Sequence, residues 1–212
     1  QSWMLVAPDG RTYVLELNAA GDKISVSRNT INAVSAAASL AAGIGIGAAG
    51  IAVSGAGAVS QNVVLSSTKA FAEDSVLDSS GDVTLEATSK AKISSAVVAA
   101  SLAIGGGGAA GVGASIGVAV AQNFIGWTPA GGDEPAEVKA YLSNTSVNAD
   151  GDLSLVATAS ESIGCVVLSG SAAVAGSGTA GIAGSGSGVW AENKIGVNVE
   201  SYIDGDGEGG IH

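Results

Sequence analysis

Apolar and polar positions alternate with a period of two along most of this chain, and one of the two faces is made of the smallest side chains. Over residues 111–123 the even positions carry Val112, Ala114, Ile116, Val118 and Val120. The odd positions carry Gly111, Gly113, Ser115, Gly117, Ala119 and Ala121. A period of two is that of a strand. Ala96, Val98, Ala100, Leu102 and Ile104 form a matching arm before it, with four glycines at 105–108 between the two. That pattern predicts a long β-hairpin with a glycine turn. Equivalent hairpins are predicted around Gly47-Ala48-Ala49-Gly50 and around Gly176-Ser177-Gly178-Thr179. Alanine-rich runs also suit a helix, but six glycines fall within residues 43–57. At about 1 kcal/mol each relative to alanine, a helix there would lose about 6 kcal/mol. A face of Gly, Ala and Ser instead lets two sheets approach more closely than the usual ~10 Å, in flat layers of the silk type. The expectation is a sheet buried on both faces.

These segments repeat. Each unit opens on a Gly-Asp turn (Gly21-Asp22, Gly81-Asp82, Gly151-Asp152) followed by a short alternating strand and then the uncharged arms. The arms end in Gln61-Asn62, Gln122-Asn123 and Glu192-Asn193. A return strand follows through Lys69-Ala70-Phe71, Lys139-Ala140-Tyr141 and Glu200-Ser201-Tyr202. The turns lie 60 residues apart and then 70, and the loop over residues 126–135 accounts for the difference. Residues 21–80, 81–150 and 151–212 are thus three units, the last incomplete, of one continuous array. Residues 1–20, with Pro8-Asp9-Gly10 at a tight turn, read as an N-terminal hairpin or the end of a preceding unit. The fold class expected is all-β: a β-solenoid-like repeat array whose Gly/Ala hairpins stack in a tight apolar layer.

Composition sharpens this picture. Charged residues make up 13% of the 212 and aromatic residues 4%, while 33 are glycine. Residues 29–68, 93–132 and 162–191 carry no charged side chain. With so few bulky anchors, the chain can bury backbones close together but few large side chains. A net charge of −11 with only eight Lys and Arg, scattered, argues against a nucleic-acid surface. Membrane helices are disfavoured by the glycine content, and a lipid-facing barrel by the lack of aromatic girdles and of a polar second face. Membrane partners are therefore not expected. The single cysteine, Cys165, reads as a small buried hydrophobe. The absence of an initiator Met or a signal-type segment at Gln1 reads as a piece of a longer polypeptide or a processed product.

Candidate chemistry is sparse. The only histidine is His212, and the glycine run at 105–108 lacks the Lys-Ser/Thr of a phosphate loop, so no enzyme is expected and no cofactor is called for. Asp204, Asp206 and Glu208 alternate with glycines and match the opening of an EF-hand-type calcium loop, although the chain stops before the bidentate Glu. The same string serves equally as a solvated acidic turn. Asn62, Asn123 and Asn193 would stack as a side-chain amide ladder if the units are in register, or else each ends a strand at a turn. Trp127 is a candidate exposed contact or a loop-packing residue. Trp190, in place of a small residue, caps the stack or fills a gap.

The Gly-Asp-(Val/Leu)-(Thr/Ser)-Leu strand, the Ala-Ser-Leu-Ala at 100–103 and the Gly/Ala run ending in Gln-Asn resemble repeats of giant bacterial surface proteins, the filamentous adhesins and leukotoxin-like β-strand-repeat proteins. That resemblance spans nearly the whole chain from Gly21. It implies an extracellular or cell-surface repeat region with a structural or adhesive role, and it transfers no catalytic residue. Three functions are open: a self-associating stalk or filament segment, a binding module whose loops near Trp127 and Asp204 engage glycan, calcium or host protein, and a membrane-active toxin segment.

Overall fold

The computed structural model describes residues 2–6, 12–17, 24–26, 28–205 and 211. All regular structure among them is β, with no helix. Two strands near the N-terminus, β1 (Ser2–Val6) and β2 (Thr12–Leu17), pair antiparallel, and β3 (Ile24–Val26) continues that small sheet beside β2. The turn 8–10 expected between the first two lies outside the described residues.

The rest is three passes over one path. In the first pass β4 (Arg28–Gly45) runs out, β5 (Ala49–Val64) runs back, and β6 (Ser67–Glu73) and β7 (Val76–Ser79) follow. The second is β8 (Val83–Gly107), β9 (Ala110–Ile125), β10 (Ala136–Ser143) and β11 (Ser146–Ala149). The third is β12 (Leu153–Ala159), β13 (Ser162–Ser177), β14 (Ala180–Ile195) and β15 (Val197–Asp204). Every strand after β3 pairs in parallel with its counterpart in the next pass, giving sheets ordered β4-β8-β13, β5-β9-β14, β6-β10-β15 and β7-β11, with β12 on the first part of β8. The sheets are open and stacked, and none closes into a barrel.

This corrects the predicted hairpins. The arms β4 and β5, β8 and β9, and β13 and β14 do not hydrogen-bond to one another. Each pair lies face to face in two different sheets, joined by a turn at the tip. An arm with one flat face gains more by laying that face against another sheet than by pairing edge to edge, and its backbone groups are satisfied by the next pass instead. The first repeat strand differs from its counterparts: β3 pairs antiparallel with β2, whereas β12 pairs in parallel with β8.

Register is conserved through all the long strands, without a bulge. The offset between the first two passes is 62 residues along β4 and β8 and 61 along β5 and β9. The one-residue difference sits at the first tip, where Gly47 turns with φ +81°. The loop 126–135 then lengthens the offset to 70, and both sides of it resume register. Glycines 126 and 131, at φ +70° and +87°, bend that loop.

The two facing layers form a wedge. Along β8 the inward side chains run Ile93, Ser95, Val97, Ala99, Ser101, Ala103, Gly105, shrinking toward the tip, and β9 mirrors this from Ile125 to Gly111. At the wide end Val64, Ala91, Ile93, Ile125 and Ala136 form one core cluster, and Ala70, Ala87, Val138 and Ala140 another. At the narrow end backbone meets backbone: a Cβ on Gly105 would collide with the Val112 carbonyl, and one on Gly107 with that of Ala110. On the other side, a Cβ on Gly113 would come within 2.7 Å of the Val174 carbonyl oxygen, in the next pass. The returning strands β5 and β9 are therefore each wedged between two outgoing ones, and β14 lies against β13 alone. Halfway up, serine hydroxyls bond across the layers, Ser39 to Ser54 at 2.8 Å and Ser101 to Ser115 at 2.7 Å, which lets polar atoms sit in a dry seam.

Candidate functional site

In-register stacking turns single residues into columns. Asn62, Asn123 and Asn193 stand one above another: the Asn62 Nδ2 donates to Asn123 Oδ1 at 2.8 Å, and the Asn123 Nδ2 to Asn193 Oδ1 at 2.8 Å. Asn123 is fully buried, and the Asn62 amide also donates to Ser60 Oγ at 3.1 Å. Their neighbours on the outer face repeat the pattern, with the Gln61 Nε2 donating to Gln122 Oε1 at 2.9 Å and the Gln122 Nε2 to Glu192 Oε2 at 3.3 Å. Both chains of amides donate in the same direction along the stack.

The return strands add an aromatic column. Phe71, Tyr141 and Tyr202 stack with ring centroids 5.2 and 5.0 Å apart and planes within 8°. The middle ring is covered on both faces and the outer face of each end ring is left exposed, an arrangement suited to cohesion along the stack. On the same strands Lys69 lies directly beside Lys139. Glu137 relieves that like-charge pairing, with one carboxylate oxygen 3.1 Å from each Nζ, and Glu200 adds a contact to Lys139 at 3.3 Å. Hydrogen bonds from the two lysines hold the Glu137 carboxyl below its usual range, and Glu137 raises Lys139.

The Tyr141 phenol donates to Glu73 Oε1 at 2.8 Å, and burial followed by this bond to a carboxylate pushes its pKa up to about 12. A raised folded-state pKa means that the neutral phenol contributes stability in full below the unfolded value near 10, a contribution lost as pH climbs toward about 12. Spectrophotometric titration should therefore show tyrosinate forming late, coincident with loss of β structure, and Tyr141→Phe should remove that late component.

Trp127 is half-buried in the loop. It bridges to Asp133, and the Lys194 ammonium of the third pass lies 5.3 Å from its ring centre and 5.7 Å from that of Phe124. The loop thus packs down on the next unit through the tryptophan. Cys165 faces inward, half-buried, its Sγ 3.9 Å from Ser95 Oγ and packed against the Ala58–Val97–Ala119 cluster. Trp190 stands outward on β14, in a column with Val59 and Val120. Of the calcium candidates, Asp204 ends β15 and its carbonyl accepts from the Asn144 N–H at 2.8 Å, while Asp206 and Glu208 lie outside the described residues. Among the described residues no group of three His, Cys, Asp or Glu could hold a metal ion.

One feature departs from the alternation reading. The small face of each arm is inward, as nesting requires, but the branched aliphatic face is not buried. In the middle pass, covered above and below by its neighbours, Ile116 is still 61% exposed, Val118 44% and Ile104 42%. Val34, Leu40, Ile44, Ile51 and Val53 of the first pass and Val166, Leu168 and Val174 of the third are open as well. The predicted two-sided burial is thus replaced by a two-layer blade, buried and flat inside, with branched aliphatics on both outer faces except along β14, where residues 184, 186 and 188 are glycine. Periodicity could not reveal this, because both faces of each arm are uncharged and nothing marks one as wet.

Comparison with protein-family models gives no match, and neither the curated proteins nor the solved structures contain a significant match to the chain.

Proposed function

We propose that this chain is a structural segment of an extracellular filament, stalk or surface adhesin, a β-solenoid that lengthens by adding further passes at its ends. The observation that carries the reading is the uninterrupted parallel register of three successive passes, with the outer edges of β4, β5, β13 and β14 taking no further strand among the described residues. At the two ends of β14 the N–H groups of Ala180 and Gly196 donate to the carbonyls of Ala109 and Ile125, at the two ends of β9, at 3.3 and 2.8 Å. Sixteen residues pair between them without a bulge. In a parallel ladder alternate residues bond to opposite sides, so the odd-numbered N–H groups of β14 point away from the molecule. Such an edge is a template for another strand. The amide and aromatic columns support the same reading, since each can accept another copy of its own residue type at either end. The sequence resemblance to secreted repeat proteins supports a cell-surface location.

Electron microscopy and sedimentation velocity test it. The chain is expected to form rods whose mass grows with concentration. Ser187→Pro removes an outward N–H from β14 while sparing the bonds to β9, and should leave short particles with unchanged circular dichroism. A monodisperse monomer at every concentration would sink the proposal.

A further inference from the structure

The geometry points to a second role for the blade: its two aliphatic faces embed in the hydrocarbon of a lipid bilayer, tip first, and anchor the array to a membrane. The expectation that membranes are not partners rested on glycine content, absent aromatic girdles and a small second face, and preferred a sheet buried on both sides; among the described residues the aliphatic faces are uncovered. Its dimensions select the occupant. On the β5-β9-β14 face the aliphatic band is continuous on β9 from Val112 to Val120, nine residues, or about 30 Å at ~3.3 Å per residue, while β5 interrupts it with Gly55 and Gly57 and β14 with Gly184, Gly186 and Gly188. On the other face it runs from Val34 to Ile44, about 36 Å by the same rise. A bilayer's hydrocarbon core is about 30 Å thick.

Both bands stop at the same height. The bond from Ser101 to Ser115 and the approach of Gly105 to Val112 fix which residues of β8 and β9 face each other. Counting down from them, Gln122 on one face is level with the Ser94 region on the other, and Lys92 and Lys90 follow just below. The polar boundary is therefore a single plane through the molecule, with Gln61, Gln122 and Glu192 on one side and Asn32, Ser94 and Lys92 on the other. Trp190 sits one step above Glu192, at the level where an aromatic side chain favours the membrane interface. The leading edge carries no charge: the tips are Ile46-Gly47-Ala48, Gly108-Ala109 and Gly178-Thr179. Inside the blade the seam side chains of β8 and β9 are buried, and these inner strands have parallel partners on both sides, the condition hydrocarbon imposes on backbone. A second copy of the chain laid on one face would leave the other bare; lipid covers both. No described helix is long and apolar enough to cross a membrane. The inference rests on the stacking reading only for the outermost strand edges, which need neighbours in hydrocarbon.

Phosphatidylcholine vesicles test it, chosen because the net charge of −11 disfavours anionic lipid. In a Cys165→Ser background, a polarity-sensitive fluorophore is placed on Ile116→Cys, midway up the blade, or on Asp150→Cys at the base. The chain is expected to float with the vesicles. Lipids brominated in mid-chain should quench the blade label strongly and spare the base label. Ile116→Lys, on an exposed site that leaves folding in water unchanged by circular dichroism, should lower partitioning about thirtyfold or more, the penalty of a lysine at the midplane of a membrane sheet. Rods that fail to float would overturn the lipid role and leave the stacking intact, and a monomer that floats would overturn the stacking and with it the tip-first embedding, because the outer edges of the sheets would then lack partners in hydrocarbon. A blade label that becomes buried with rising protein concentration, without vesicles and without flotation, would assign the faces to a second copy and overturn the inference.

Discussion

Gly105→Val is expected to cost about 3 kcal/mol of stability, the upper end of the usual range for overpacking, while Gly57→Ala should change it by less than about 0.5 kcal/mol. Both residues are strand glycines in the same wedge. Gly105 points into the seam, where a Cβ would collide with the Val112 carbonyl and approach the Gly113 nitrogen at 3.1 Å. The colliding atoms are backbone, held by ladders on either side, so no side chain can swing away. The layers must part, and the tip would open as far down as the serine pair Ser101 and Ser115. Gly57 lies on the outer face with nothing within 4 Å of its missing Cβ. Alanine there also restricts the unfolded chain, which works in the native state's favour. Urea unfolding followed by circular dichroism measures the difference. Amide exchange at residues 103–113 should speed up in the valine variant only. Equal costs at both sites would mean that glycine serves strand flexibility here rather than close approach of layers.

The same contrast explains what could be read from the residues alone. The repeat, its unit boundaries and the strand character of the arms follow from a period of two and from turns at fixed intervals. Nesting by the small face was legible because Gly111, Gly113 and Gly117 share a parity with Ser115 and Ala119. Pairing direction was not. A glycine turn between two alternating arms is the same string whether the arms share a sheet or face each other, and the choice depends on whether another pass lies alongside to take up the backbone bonds. Outer-face exposure was hidden for a related reason: Val118 against Ala119 gives a difference in size but none in polarity. The clue that was available is the length of the apolar outer face, which gives way to Gln122 on one arm and to Ser94 and Lys92 on the other. At the loop, Trp127 could be placed but its partner could not, since Lys194 lies 67 residues further on, in the next pass.

Asn123→Ala should cost about 2 kcal/mol, and Asn123→Asp should make stability depend on pH in a way the parent chain does not. Asn123 is the middle rung, fully buried, accepting from Asn62 and donating to Asn193. Alanine removes both bonds. The Asn62 amide, itself buried, keeps its contact with Ser60 Oγ but loses the other, and a buried donor stripped of its partner costs about 1–3 kcal/mol. Asn193, on the exposed last pass, recovers water and adds little. Aspartate tests direction as well as occupancy. One carboxylate oxygen can still accept from Asn62, but the other would face the Asn193 Oδ1, acceptor against acceptor, in a dry site that disfavours charge. Both effects raise the folded-state pKa above the unfolded value near 3.9. The protonated acid can donate to Asn193 as the amide did, so the variant should approach parental stability below about pH 4 and lose it as pH rises through the raised pKa. Urea midpoints for both chains across that range measure the effect as a difference, which cancels the titration of the shared carboxylates. A constant difference between them would mean that the column is merely three strand ends that happen to align, and would remove the amide ladder from the forces that hold successive passes in register.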